Sequence, residues 1–460
     1  MRTVLVAISG RQQARNILRT DVLKTLLATK DVRVVVLVPA LKLAYYREEF
    51  QLPNLIFEGV EFKQEFVSRL DSFFNSLSLY YVDSTTGRFL KKLGYWYERR
   101  QPVRYILSRT ALALFGHTQA LRSLARALDY RLVSDTRLLR YFDRYRPDMV
   151  FASNVAASLD RSLLRHAKRS GVKTTGMVNS WDNITYAKYP FRILPELLIC
   201  HNKIIAGEAV KYLDVRKQNI FISGIPQHDF YVTNPRATRE ELYKRLSVDL
   251  KKRIVLFTSQ GSTANQTEWQ TLTLLARAFD EGRLPSDLMV IFRQHPTEKT
   301  ELKNIPVHKQ IMVDDSKTTL STGAGSFSEI LEKDMEHLAD TIFHAAVIIT
   351  TTSSISIDAA LFDKPTINIA FDGWEKRPFW KSVRRKFSKY HAHYQYIVKS
   401  GGVSIAWTFD ELVAAINRYL EHPELDREGR ARIVSEQCYK HDGQSGKRIA
   451  GSLLNFMEAR

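Results

Sequence analysis

Three short polar stretches stand where chemistry could be done. Thr351-Thr352-Ser353-Ser354 follows an apolar run, residues 346–350, and precedes a helical pattern that carries Asp358. Small hydroxyl residues between a strand and a helix bring backbone N–H groups and hydroxyl donors to one point, which suits a diphosphate. Asp358, about one turn into that helix, could accept bonds from ribose hydroxyls; the same residues would also serve as a plain helix start. Arg293-Gln294-His295-Pro296 ends the run 288–292. In an open α/β sheet a His at a strand's carboxyl end faces the ligand crevice. Ser259-Gln260-Gly261-Ser262 follows the run 253–258, and Gly261 permits close backbone approach. The nucleotide-binding set expected from these loops is Ser259, Gly261, Arg293, His295, Thr352, Ser353, Ser354 and Asp358.

The first half offers a candidate base and candidate cations. Asn179-Ser180-Trp181-Asp182-Asn183 directly follows the run 174–178. A carboxylate there could take a proton from an acceptor hydroxyl, or it could cap the following turn. Ser9-Gly10-Arg11 ends the first apolar run, and Gly10, Arg11 and Arg15 are candidates for an acceptor phosphate. A solvated helix start accounts for the same residues. His391-Ala392-His393 has the spacing of a metal pair but no third ligand nearby, so no metal site is expected. Asp314-Asp315 reads as an acidic pair in a loop.

These residues need strands and helices to hold them. Residues 3–8 form a short β-rich run, a helix is expected from there to about residue 29, and Val34-Val35-Val36-Leu37-Val38 makes a second buried strand. Strand, helix and strand make a βαβ unit. The alternation recurs at 149–152, 173–178, 253–258, 288–292, 346–350 and 366–370, which argues α/β with parallel sheets. It breaks near 234–253, so the domain boundary is expected at about residue 232. That gives an N-terminal domain over 1–232, a C-terminal domain over 233–434, and a last helix over 435–460 returning to the first.

Residues 80–147 differ from the rest and read as a helical insertion. From residue 88 to 146 there are 14 basic residues against four acidic. Leu121, Leu124, Leu128 and Leu132 share a helical stripe from which Arg122 and Arg126 lie off, so the basic residues are expected on a solvated outer face. Tyr95-Trp96-Tyr97 beside Arg99 and Arg100 also suits an anionic membrane interface.

The ordered set Arg293-Gln294-His295-Pro296, then 351–372 with Ser353, Ser354, Asp358 and Lys364-Pro365, then Asp442-Gly443-Gln444-Ser445-Gly446-Lys447-Arg448, resembles the donor domain of GT-B glycosyltransferases. It is most similar to the CDP-glycerol glycerophosphotransferase-like and surface-polysaccharide branch. That branch also shows a G-x-P-x-x-D element, here Gly224 to Asp229. The resemblance covers roughly residues 175–450. It implies two Rossmann-like domains facing a cleft, with Ser353 and Ser354 on the donor diphosphate, Asp358 on the ribose and His295 toward the phosphates or the transferred group. Asp442 and Arg448 would order the C-terminal helix. Asp182 stands where the glycerophosphotransferases carry the His of a Trp-His-Gly element, so sugar transfer is expected ahead of glycerophosphate transfer.

Composition bounds the rest. The chain has 460 residues, 44% hydrophobic and 25% charged, which is globular composition with room for two or three domains. A net charge of +19 seeks polyanions or anionic lipid. Two cysteines exclude a disulfide scaffold and favour a reducing compartment. No zinc finger or RNP-type motif argues for nucleic acid. The N-terminus lacks a signal-peptide core and no apolar run is long enough to span a bilayer. The expected protein is a metal-independent glycosyltransferase without a bound cofactor, using a UDP- or CDP-type donor and a surface-glycan or lipid-linked acceptor. It would be cytoplasmic and peripheral on the inner face of the membrane. A CDP-glycerol-type glycerophosphotransferase, a nucleotide-sugar 2-epimerase and a non-catalytic polyanion-binding protein are the alternatives.

Overall fold

The computed structural model describes residues 1–61, 65–186, 190–261, 265–296, 300–315, 319–322 and 325–459. The chain divides into two compact units. The first is built from Met1–Phe230 and Cys438–Arg460, the second from Tyr231–Thr322 and Ser326–Gln437.

The first unit begins with β1 (Arg2–Ala7), α1 (Arg11–Ile17), α2 (Asp21–Ala28), β2 (Val32–Pro39), α3 (Leu43–Glu49) and β3 (Leu55–Val60). The single helix expected after β1 is two. The chain breaks at Thr20, whose hydroxyl accepts from the Val22 N–H at 3.4 Å and caps α2. Five helices then precede the next strand: α4 (Arg69–Ser78), α5 (Thr85–Lys91), α6 (Pro102–His117), α7 (Gln119–Leu132) and α8 (Leu139–Tyr145), with a π-helical turn at Lys92–Glu98. The sheet resumes with β4 (Met149–Ala152), α9 (Ser158–Arg169), β5 (Lys173–Met177), β6 (Leu197–Cys200), α10 (Lys203–Leu213) and β7 (Ile220–Ile222). All seven strands are parallel, in the order β3-β2-β1-β4-β5-β6-β7. Val4 sits between Val34 and Met149 in register. Near-continuous apolar strands such as β2 are what a parallel sheet covered on both faces requires. One face packs on α9 and α10 through Leu163, Leu164 and Ala209, the other on α1 and α2 through Ile17, Val22 and Leu26.

A short helix, α11 (Asp229–Thr233), carries the chain out of the first unit. The second unit contains α12 (Arg239–Leu246), β8 (Arg253–Thr258), α13 (Glu268–Asp280), β9 (Leu288–Arg293), β10 (Ile311–Asp314), a separate ribbon of β11 (Thr319–Thr322) and β12 (Gly325–Ser328), α14 (Glu332–His344), β13 (Val347–Thr350), α15 (Ile355–Leu361), β14 (Thr366–Ile369), α16 (Gln395–Ser400), β15 (Ser404–Ala406), α17 (Phe409–Glu421) and α18 (Arg427–Gln437). Its main sheet has six parallel strands in the order β10-β9-β8-β13-β14-β15. Both units are therefore Rossmann-like, as the alternating runs predict. The last stretch is not one helix. α18 ends at Gln437 and α19 (Ser445–Glu458) begins only after a turn with left-handed residues at Tyr439 and Gly443. α19 packs in the first unit, with Ile449, Ala450 and Leu453 in its core.

The leucine stripe of α7 corrects the expectation drawn from it. Leu124 and Leu132 are 56% and 54% exposed, whereas Arg122 and Asp129 are only 5% and 1% exposed. The helix buries its charged face because that face is paired. Arg122 donates to Asp214 at 2.7 Å, and Asp129 accepts from Arg165 and Arg192, each at 2.7 Å. Arg192 also reaches Asp71 of α4 at 2.7 Å. Stripping one partner from such a lattice costs about 3–5 kcal/mol, because the remaining charge stays buried.

Candidate active site

The second unit's strand order reverses between β8 and β13, the place where open α/β sheets bind ligands. The loops after those two strands are bonded to each other. The Gln260 side-chain amide donates to the Thr352 carbonyl and, at 3.1 Å, to the Thr352 hydroxyl; Asn265 donates to the Thr351 hydroxyl at 3.3 Å. Ser353 accepts from the Ile355 N–H at 3.3 Å. Ser354, just before α15, is exposed and its side chain makes no cap bond. Under this edge Tyr394 ties three elements together. Its hydroxyl meets Ser356 of α15 at 2.9 Å, Asn368 of β14 at 2.8 Å and the Thr351 carbonyl at 3.3 Å.

Two groups at this edge had no signal strong enough to single them out in the sequence. Glu268, at the start of α13, accepts from the Ser259 hydroxyl and from the Gln260 N–H at 2.8 Å. Burial pushes its carboxyl up to about 7. Lys386, from the 3-10 turn Val383–Phe387, donates to the Gln260 side-chain oxygen at 2.6 Å and brings a cation to the loop. A cavity of about 300 Å³ opens beside them, lined by Asn265, Glu268, Trp269 and Thr300 among others.

Other expected members stand differently. Gly261 does adopt a positive φ, 91°, and its N–H is taken by the Ser259 hydroxyl at 2.9 Å. Ser262 lies outside the described residues. Arg293 is a correction: its two terminal nitrogens are spent on Asp314 at 2.8 Å and Asp334 at 2.7 Å, a buried clasp between β9, β10 and α14. Asp314 accordingly ends a strand and pairs with Arg293 and His337 rather than lying in a loop. His295 is half-buried just past β9, and Asp358 is buried on α15.

In the first unit the order reverses between β1 and β4. Gln13 fills that point. Its side-chain oxygen accepts from the Ser9 N–H at 3.0 Å and the Gly10 N–H at 2.7 Å, and its nitrogen donates to Ser153 at 2.8 Å and Asp160 at 3.1 Å. Gly10 therefore has no N–H to offer an acceptor phosphate, which corrects its expected role. Arg11 and Arg15 are half-buried on α1. Asp182 lies further along the edge, past β5, half-buried and accepting from Asn183 at 3.4 Å. Burial pushes the neighbouring Glu208 up to about 8, and the Asp182 carboxylate adds to this. His201, past β6, is driven down to about 3 by burial, with His228 and Arg15 adding.

The two outer motifs of the sequence meet in the first unit. Asp229 accepts from the Ser445 and Gly446 N–H groups, at 3.0 and 2.7 Å, and caps α19. Arg448 grips Asp442 through two contacts of 2.8 Å and reaches the Ser223 carbonyl at 2.7 Å. Gly224 has φ 88°, and a Cβ there would lie 2.5 Å from the Ser445 hydroxyl. These motifs clamp the returning helix where the chain leaves and re-enters the unit.

Residues 195–455, more than half the chain, match the family described as CDP-Glycerol:Poly(glycerophosphate) glycerophosphotransferase. The chain belongs to this family. Among curated proteins it is similar to teichoic acid ribitol-phosphate polymerase TarL of Staphylococcus aureus, 24% identical over 248 residues. That match takes in 52% of this chain but only 38% of the relative, so the chain spans well under half of that protein's length. Among solved structures it is similar to UDP-GlcNAc 2-epimerase from Methanocaldococcus jannaschii, with a TM-score of 0.55 and 13% identity over 99% of this chain and 100% of that one. The wall teichoic acid polymerase TagF gives a TM-score of 0.50 and 11% identity over 99% and 89%. At these identities the two structures show the fold, GT-B-like with two Rossmann-like units, and nothing finer. The family match begins beyond Asp182 and covers all of the second unit's site loops.

Proposed function

We propose that this chain is a transferase of cell-envelope polymer synthesis. It moves a polyol-phosphate unit from a CDP-activated donor to a hydroxyl of a surface-polymer or lipid-linked acceptor. The observation that carries the reading is the glycerophosphotransferase family match lying over a strand-order reversal whose loops present Ser353 and Ser354. In this reading the second unit holds the nucleotide diphosphate. Ser353, Ser354 and His295 stabilise its developing charge, with the Lys386 cation beneath the loop. Asp182 takes the acceptor's proton. The acceptor oxygen bonds to the β-phosphorus, the phosphorus–oxygen bond to the α-phosphate breaks, and CMP leaves.

Asp182 itself favours a second reading, in which a nucleotide sugar is the donor. A carboxylate replaces the His of the Trp-His-Gly element, and a carboxylate base suits sugar transfer. There the sugar carbon–oxygen bond breaks and a nucleoside diphosphate leaves. The released nucleotide separates the two. The protein is incubated with CDP-glycerol, CDP-ribitol or UDP-GlcNAc and a teichoic-type acceptor, and the nucleotide is identified by chromatography. CMP is expected. Release of UDP instead would overturn polyol-phosphate transfer in favour of sugar transfer. Turnover of none of them, with no thermal shift by CDP or UDP, would leave a polyanion-binding protein.

A further inference from the structure

A second cavity, of about 640 Å³, lies wholly in the first unit and contains none of the residues placed so far at the candidate site. Its walls are one face of α7, the turn from α9 into β5, the stretch 192–196 before β6, and the end of α10. Lys173 is the first residue of β5 and Glu196 immediately precedes β6, so the cavity lies at the amino ends of these strands. Asp182 and His201 lie past the carboxyl ends of the same two strands. A ligand here would sit at the opposite edge of the sheet from the candidate chemistry. The volume is that of a small-molecule site.

The lining carries an excess of positive charge. Arg126, Lys168, Lys173 and Arg192 stand against Glu196 and Asp214. The carboxylates within reach are already shared: Asp214 by Arg122 and Arg126, and Asp129 by Arg165 and Arg192. Lys173 gives its ammonium to the carbonyls of Phe456, Met457 and Ala459 at the end of α19. An excess of two cations matches a phosphate monoester, which carries about −1.5 to −2 at neutral pH. Four polar groups on the wall are also unused: the Gln119 amide, the Ser123 and Tyr130 hydroxyls and the Lys168 ammonium make no hydrogen bond to a described residue. Lys168 supplies a point charge for a phosphate. An amide and hydroxyls that both donate and accept suit a body rich in hydroxyls, while Ala127, Val172 and Leu213 give its C–H faces an apolar wall. We infer that this cavity binds a soluble sugar phosphate, as an effector rather than a substrate. The inference does not depend on which group the candidate active site transfers.

The test is calorimetric titration of the full chain, in phosphate-free buffer, with glucose 6-phosphate and separately with its two halves, glucose and inorganic phosphate. Glucose 6-phosphate should bind one to one, and each half at least about tenfold more weakly, since each gives up hydrogen bonds that the whole ligand makes. Lys168→Gln should weaken glucose 6-phosphate about tenfold or more by removing a charge-assisted bond. Ala127→Trp places an indole in the cavity and should abolish binding. Both positions are exposed, so the melting temperature of the ligand-free protein should not move. Ser353→Ala/Ser354→Ala should bind glucose 6-phosphate as wild type does. Absence of binding to wild type, or binding that survives both Lys168→Gln and Ala127→Trp, would overturn the inference. Inorganic phosphate binding as tightly as the ester would overturn the sugar phosphate as ligand. Binding lost in the serine pair but kept in Lys168→Gln would assign the phosphate to the second unit's loops instead.

Discussion

The two Rossmann-like units reverse strand order at equivalent places, yet one reversal is closed and the other open. Between β1 and β4 a single side chain, Gln13, consumes the Ser9 and Gly10 N–H groups and ties Ser153 to Asp160. Between β8 and β13 the loops are braced from below by Gln260, Glu268 and Tyr394, while Ser353 and Ser354 stay accessible. Each reversal holds a buried carboxyl, Asp160 or Glu268, that burial pushes up to about 7. The fold supplies the same anion-ready position twice, and the side chain at one position decides whether it is used. With that reversal closed, the candidate groups of the first unit lie away from it: Asp182 past β5, His201 past β6, and Glu208 of α10 near Asp182.

That displacement gives the largest expected effect. Asp182→Ala should lower turnover about 10²- to 10⁴-fold, the usual contribution of a positioned base, with nucleotide affinity unchanged by calorimetry. Retained turnover would return the first unit's chemistry to another group. The next pair of variants crosses the two reversals. Gln13→Leu strands several buried donors and acceptors and should destabilise the protein by about 3 kcal/mol in urea unfolding, leaving CDP or UDP affinity as it was. Ser353→Ala/Ser354→Ala should do the opposite: about tenfold weaker nucleotide binding, with the urea midpoint unmoved. If Gln13→Leu weakens nucleotide binding and the serine pair does not, the donor site belongs to the first unit and the comparison fails.

The open reversal was legible in the sequence and the closed one was not, for a physical reason. Runs such as 253–258 and 346–350 announce parallel strands by composition, and the loops after them inherit a known place at the sheet edge. What a loop residue does there depends on which distant side chain reaches it. Gly10 reads as an anion-binding turn until Gln13 folds back onto it. Arg293 reads as a ligand residue until Asp314 and Asp334 arrive from two other elements. Lys386 comes from a segment some 120 residues after Gln260 and could not be paired with it by spacing. α7 failed most plainly. Period 3.6 identifies a stripe but not which side of it faces the core. The deciding partners, Asp214, Arg165 and Arg192, lie on other parts of the chain.

The carboxyl shared by the two reversals gives the smallest and most discriminating test. Glu268 ordinarily titrates at 4.5 and is raised to about 7 by burial in the folded protein. The unfolded chain loses this proton first, so the stability it contributes is present at low pH and is lost as pH rises from about 4.5 to about 7. Asp160 behaves the same way in the first unit, starting from 3.8. The two differ in what else their ionisation touches. Above about pH 7, Glu268 puts a negative charge directly under Ser259 and Gln260, only partly offset by Lys386, and a bound diphosphate should be repelled. Nucleotide affinity should therefore fall several-fold between pH 6 and pH 8 relative to Glu268→Gln, the ratio of the two proteins cancelling the nucleotide's own titration. Asp160→Asn should flatten the pH dependence of unfolding but leave that affinity ratio flat at one. An affinity ratio that responds to Asp160→Asn and not to Glu268→Gln would place the working reversal between β1 and β4.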